Sequence, residues 1–142
     1  MRARGGAAAL ATALAVTAAA CGDESERANE LRPPAPINIT AAIDGDRVRV
    51  SPSSFGAGPV VFVISNQSGA VQRLTLETDE VAGDTGGIRR STGDIAASST
   101  GNLSVDVREG TYRLSTGGND IRPAAVEVSA ERPSSQNELL LP

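Results

Sequence analysis

The side chains that could carry chemistry in this chain are carboxylates and arginines, because histidine and lysine do not occur in it. Four acidic residues and two adjacent arginines lie in or beside one glycine-rich stretch. They are Asp79, Glu80, Asp84, Asp94, Arg89 and Arg90. Carboxylate oxygens suit Ca²⁺, and paired carboxylates serve as acid and base in glycoside hydrolysis. Adjacent arginines can bind an anion through bidentate contacts.

Each of these possibilities has a simpler alternative. The spacing of the acidic residues matches no calcium-binding loop, which favours a solvated acidic loop. A carbohydrate cleft needs aromatic platforms, and the chain has three aromatic residues. The sequence therefore predicts no catalytic residue and no enzymatic activity. Arg89 and Arg90 are the candidate ligand-binding residues, and a solvated pair on an edge strand is the alternative interpretation.

Residue types that are absent exclude much other chemistry. Without histidine the chain has no Ser-His-Asp triad, no Cys-His pair and no ordinary zinc or blue-copper ligand set. Without lysine it has no Schiff base and no P-loop. The only methionine is Met1 and the only cysteine is Cys21. The sequence predicts no metal and no cofactor.

The charge balance is acidic. The chain has 13 arginines against 17 acidic residues, and from Cys21 onward it has 11 arginines against the same 17, a formal net charge of −6. An acidic surface repels phosphate backbones. Nucleic acid is therefore not an expected partner.

The first 20 residues have the pattern of a secretory leader. Arg2 and Arg4 precede an apolar run over residues 7–20, which is too short to span a bilayer. The small residues before Cys21 resemble a bacterial lipobox, although Ala18 stands where that pattern prefers leucine. The resemblance implies cleavage at residue 20, a diacylglyceryl anchor on Cys21, and a membrane-attached protein on the extracytoplasmic side.

Residues 21–36 are expected to form a flexible tether after the lipidated cysteine. The segment is polar and acidic, has no apolar period, and ends with three prolines among its last four residues. Such a composition is typical of a solvated linker that stiffens near Pro33 and Pro34.

Residues 37–130 alternate apolar and polar positions with a period of two, between turns rich in Gly, Asn, Asp and Pro. This pattern predicts about seven short strands and no helix, packed as an antiparallel Greek-key β-sandwich. The unbroken apolar run at residues 60–64 predicts a central strand. Tyr112, after Gly110, is expected to form a tyrosine corner, with its hydroxyl bonded to backbone.

Two segments depart from the strand pattern. Residues 78–99 are rich in glycine and aspartate and predict a long loop with at most one short edge strand. The tail, residues 131–142, is polar until three leucines at 139–141, which either fold back on the sandwich or lie exposed.

Two further segments resemble the cupredoxin-like family. Residues 59–69, PVVFVISNQSG, are similar to that family's strand ending in an Asn-x-x-Gly turn, and residues 109–114, EGTYRL, are similar to its Gly-x-Tyr strand. The resemblance implies a cupredoxin-like sandwich, an architecture shared with immunoglobulin-like domains.

Departures from that family's pattern, together with the composition, imply that copper is absent. Gln72 occupies the position of the family's first histidine ligand and Thr116 that of its cysteine, while the loop at 117–120 has neither histidine nor methionine. A type-1 copper centre needs those ligands. We therefore expect the family's fold without its electron-transfer chemistry.

Three functions stay open at this point. The first is an envelope protein-interaction module, which predicts an exposed apolar patch. The second is a binder of a small ligand or anion that uses the glycine-rich loop at 83–93 with Arg89 and Arg90. The third, a hydrolase that uses carboxylates alone, needs two acidic side chains facing each other across a cleft. The sequence favours the first.

Overall fold

The computed structural model describes residues 32–79 and 87–134, which form eight β-strands. The predicted leader, Cys21 and leucines 139–141 lie outside them. Within the described part, no helix is long and apolar enough to cross a membrane. The strands are β1 Ile37–Ile43, β2 Val48–Ser51, β3 Ser54–Asn66, β4 Leu74–Thr78, β5 Arg89–Ser91, β6 Thr100–Val107, β7 Gly110–Thr116 and β8 Ala124–Glu131.

The strands form the two layers of a β-sandwich. Sheet I has the order β2-β1-β3-β6, and sheet II has the order β3-β8-β7-β4-β5. Side chains alternate between the interior and the surface, as in β1, where Ile39, Ala41 and Ile43 are buried. The predicted all-β sandwich is confirmed.

β3 belongs to both sheets. Residues 54–57 pair in parallel with β8, and residues 58–66 pair with β1 in parallel and with β6 antiparallel. Gly58 lies where β3 changes from one sheet to the other. Its φ is 119°, a backbone conformation that residues with a side chain rarely adopt. β2 runs antiparallel to β1 and returns the chain to the end where β1 begins. From there β3 runs beside β1 in the same direction. The other strand pairs are antiparallel.

The interior is aliphatic around one aromatic pair. Phe62 is fully buried, and its ring meets that of the partly buried Phe55 edge to face, with centroids 6.2 Å apart. Tyr112 forms the predicted corner: its hydroxyl donates to the Arg108 carbonyl at 2.8 Å and accepts from the Arg108 amide at 3.0 Å. The expectation of a tyrosine corner is confirmed.

β5 is the short edge strand that the sequence pattern allowed within the glycine-rich stretch, and it brings the number of described strands to eight. Val71, although apolar, precedes β4 and is 63% exposed. The reason is that only Gln72 pairs there, through an isolated bridge to Ile95, so the ladder is interrupted before Leu74.

Arg132 fastens the end of the sandwich at which β1 begins. Its guanidinium donates to the carbonyls of Gly56 at 3.1 Å, Ala57 at 3.2 Å, Pro59 at 2.7 Å and Ala35 at 3.0 Å. A Cβ on Gly58 would come within 2.7 Å of Pro34, which is itself buried. The last residues of the segment predicted to be a tether therefore pack on the sandwich. We call this end the Arg132 end.

Candidate functional site

The candidate site is the opposite end of the sandwich, where the sequence resemblance places metal ligands. β1 and β3 end here at Ile43 and Asn66, β4 begins and β7 ends. Gln72 precedes β4 by two residues, and Leu74 of β4 pairs with Thr116 of β7. The fold thus brings Gln72, just before β4, and Thr116, at the end of the neighbouring strand β7, to one end. We call it the Asn66 end.

Asn66 organises the loops of this end from a fully buried position. Its Nδ2 donates to the carbonyls of Ala70 at 2.7 Å, Ile95 at 2.9 Å and Ala96 at 3.2 Å. Its Oδ1 accepts from the Ser68 amide at 3.1 Å and from the Ser68 hydroxyl at 2.8 Å. One amide therefore ties the turn after β3 to the segment before β6.

Backbone and hydroxyl bonds close the same end further. Gln72 and Ile95 exchange backbone bonds of 3.0 and 2.8 Å. The Thr92 hydroxyl donates to the Gly93 carbonyl at 2.7 Å and accepts from the Leu74 amide at 3.1 Å. These contacts hold the loops of this end to each other.

The donor set does not fit copper. Gln72 and Thr116 offer an amide and a hydroxyl in place of imidazole and thiolate, whereas a type-1 centre requires nitrogen and sulfur ligands. Within residues 32–79 and 87–134, no group of three or more His, Cys, Asp or Glu side chains could hold a metal ion. The Thr116 Oγ1 is buried without a hydrogen-bond partner. We therefore derive no redox step from this end.

The unpartnered hydroxyl of Thr116 gives a stability prediction. Thr116→Val replaces a buried hydroxyl that has no partner by a methyl group of similar size, so we expect stability to rise by about 1 kcal/mol. Thr92→Val is the matched control: it removes a hydroxyl with two partners and should lower stability by about 1–2 kcal/mol. Urea unfolding followed by circular dichroism measures both. Equal losses in the two variants would contradict the assignment of Thr116.

The described acidic candidates are separated and paired with arginines. Asp94 lies near the Asn66 end and accepts from Arg73 at 2.8 and 3.2 Å. Asp79 follows β4 at its other end and forms an ion pair with Arg113. Glu80 and Asp84 lie outside the described residues. Asp79 and Asp94 thus do not share a site.

Arg89 and Arg90 lie on β5 and point to opposite sides of sheet II. Arg89 is paired with Glu77, and its Nη1 donates to Glu77 Oε2 at 3.1 Å. Arg90 is paired with the inward-facing Leu76, and its Nη1 donates to the Arg89 carbonyl at 3.2 Å. Since consecutive strand residues alternate between faces, the two guanidinium groups do not converge on one anion here.

Comparison with solved structures identifies the fold. The chain is similar to auracyanin A, a "blue" copper protein from the green thermophilic photosynthetic bacterium Chloroflexus aurantiacus, with a TM-score of 0.52 and 13% identity over 67% of this chain and 100% of that one. A multicopper oxidase, mgLAC, and the copper-containing nitrite reductase of Thermus scotoductus each give a TM-score of 0.43, at 13% and 11% identity. Those alignments cover 69% and 75% of this chain, and 39% and 30% of theirs.

The sequence matches no protein-family model, and no curated protein matches it significantly. At 13% identity the likeness to auracyanin A shows the fold alone. Residues 59–69 and 109–114 carried the same expectation from the sequence. The described chain is a β-sandwich with a cupredoxin-like fold.

Proposed function

We propose that this protein is a lipid-anchored extracytoplasmic protein whose sandwich acts as a protein-interaction module and not as an electron carrier or an enzyme. The leader and Cys21 support the anchor and its side of the membrane. Gln72 and Thr116, which stand where the copper ligands of a cupredoxin would be, support a function without copper. The proposal rests on the outer face of sheet I.

That outer face is almost free of charge. Its residues are partly buried or exposed, and most are small or β-branched. They are Asn38, Thr40, Ala42, Pro59, Val61, Val63, Ser65, Thr100, Asn102 and Ser104. Arg49 and Asp106 stand only at its margins. We call these ten residues the sheet I face.

The outer face of sheet II is charged by comparison. Glu77, Arg89 and Arg113 project from it, and Glu127 is exposed on β8. In a chain with 30 charged residues, ten uncharged positions on three adjacent strands are a marked exception. Interface centres are depleted in charge, because charged groups are costly to desolvate. The sheet I face is therefore the better surface for a protein partner.

Photo-cross-linking in the native membrane tests this function. A photoreactive amino acid replaces Asn38 on the sheet I face or, as control, Glu127 on sheet II. We expect discrete protein adducts in mass spectrometry from the first position and none from the second. Amine-reactive reagents do not serve, since the chain has no lysine. Equal adducts at both positions, or none at either, would contradict an interaction module on this face.

A further inference from the structure

We propose that the partner of the sheet I face is a second copy of this chain, packed face to face around a two-fold axis that runs along the strands. The inference rests on the proposed function and specifies its partner. It follows from the charge of the face, its shape and the point at which the chain leaves the sandwich.

Charge favours self-association at this face over any other. From Cys21 onward the chain has a formal net charge of −6, so two copies repel each other over most approaches. Contact between two sheet I faces places no charged central residue against its equivalent. Asp106 lies at the end of β6 near Pro59, and Arg49 lies on the edge strand β2. The charges therefore stay at the rim.

The shape of the face suits sheet-on-sheet packing. Val61 and Val63 form its apolar centre, and neither belongs to the hydrophobics packed against the sandwich core. Their cross-strand neighbours Asn38, Thr40, Ser104 and Asn102 are short and exposed. Short polar and β-branched side chains permit the separation of about 10 Å at which two sheets stack.

The exit of the chain selects the two-fold axis. The N-terminal segment reaches the sandwich at Ala35, which is bonded to Arg132 at the Arg132 end. An axis along the strands places Ala35 of both copies at the same end, where two anchors can enter one membrane. Antiparallel pairing of two β6 edges would place the copies in opposite directions. Attachment to one membrane thus favours face-to-face packing over edge pairing.

The size of the face predicts a weak dimer that depends on the membrane. Three strands spaced by about 4.8 Å, with seven residues rising by about 3.3 Å each, cover roughly 330 Å² per copy. Stable complexes bury about 800 Å² per partner. Two copies tethered to one membrane gain effective concentration, which compensates for a small contact. We therefore expect dimers among anchored copies.

Thiol cross-linking of the anchored protein tests the inference. Thr40→Cys places a thiol in the middle of β1 on the sheet I face, and Thr111→Cys places one on the outer side of sheet II as control. A short bis-maleimide that spans about 10 Å is applied to intact membranes. We expect most Thr40→Cys chains to migrate as dimers, and at least tenfold fewer of the Thr111→Cys chains. Wild type should show none, since its thiol carries lipid.

A charge variant and the remaining outcomes complete the test. Thr40→Arg, combined with Asn38→Cys, should lose most of the Asn38→Cys cross-link, because two arginines then meet near the axis; Thr111→Arg in the same background should not. Equal dimers at Thr40→Cys and Thr111→Cys would overturn the proposal. A cross-link from Thr40→Cys to a different protein would overturn the second copy and leave the interaction module standing. No cross-link there would also overturn the second copy, and the Asn38 photo-cross-linking then decides the module separately.

Discussion

Asn66→Ala is expected to lower the free energy of unfolding by about 3 kcal/mol or more. The side chain is fully buried and makes five hydrogen bonds to two segments, the turn after β3 and the segment before β6. Each bond contributes about 0.5–1.5 kcal/mol, and a buried group left without a partner costs about 1–3 kcal/mol. A domain of this size has about 5–15 kcal/mol in total, so the loss is a large fraction.

Asn66→Asp tests the donor group of this amide separately from its acceptor oxygen. It retains an oxygen for Ser68 but replaces the donor to Ala70, Ile95 and Ala96 by an oxygen that faces three carbonyl oxygens. Burial and the facing carbonyl oxygens raise the pKa of such a carboxylate in the folded state, because they disfavour its charged form. Protonation therefore stabilises the folded state of the variant. The loss caused by Asn66→Asp should therefore be larger at pH 7 than at pH 4.

Urea unfolding followed by far-ultraviolet circular dichroism measures these effects. Asn119→Ala, at an exposed position between β7 and β8, is the control and should change stability by less than about 0.5 kcal/mol. If Asn66→Ala unfolded at the same urea concentration as Asn119→Ala, the assignment of Asn66 as the centre of its end would be wrong.

Local periodicity was sufficient to predict most strands, because burial of one side chain in two leaves a pattern in the sequence. It did not show the role of Arg132, whose four carbonyl partners lie on segments about 75 and 97 residues away. Because its partners are backbone carbonyls, no acidic residue in the sequence indicates where this guanidinium binds. The docking of Ala35 on the sandwich was therefore not predictable from composition.

The run at residues 60–64 shows the limit of the same method for the site. An unbroken apolar run is typical of a strand covered on both faces. Here Val60, Phe62 and Ile64 are buried in the sandwich, whereas Val61 and Val63 belong to the sheet I face. The pattern correctly predicted a central strand, but it could not show that the outer cover is missing from the described residues. That difference distinguishes a core strand from an interaction surface.

Cys21→Ser is expected to move the protein from the membrane fraction to the soluble fraction almost completely. The sulfur of Cys21 is the proposed site of the diacylglyceryl group, and serine cannot form that thioether. Two acyl chains give stable membrane binding, whereas the acidic segment after residue 21 gains nothing from an anionic membrane surface. The apolar run of the leader is too short to replace the anchor as a spanning helix.

Ala18→Leu is the matched control for this prediction, because it restores the residue that the lipobox pattern prefers and leaves the cysteine in place. It should stay in carbonate-washed membranes and be processed at least as completely as wild type. Intact mass spectrometry distinguishes the uncleaved chain, the cleaved chain without lipid and the cleaved chain with lipid, because they differ by the mass of the leader and of the lipid. A Cys21→Ser protein that is cleaved after residue 20 and still retained in the membrane would contradict the lipid anchor. It would also remove the reason for placing both copies of a dimer in the same direction, since only attachment to one membrane selects the axis along the strands.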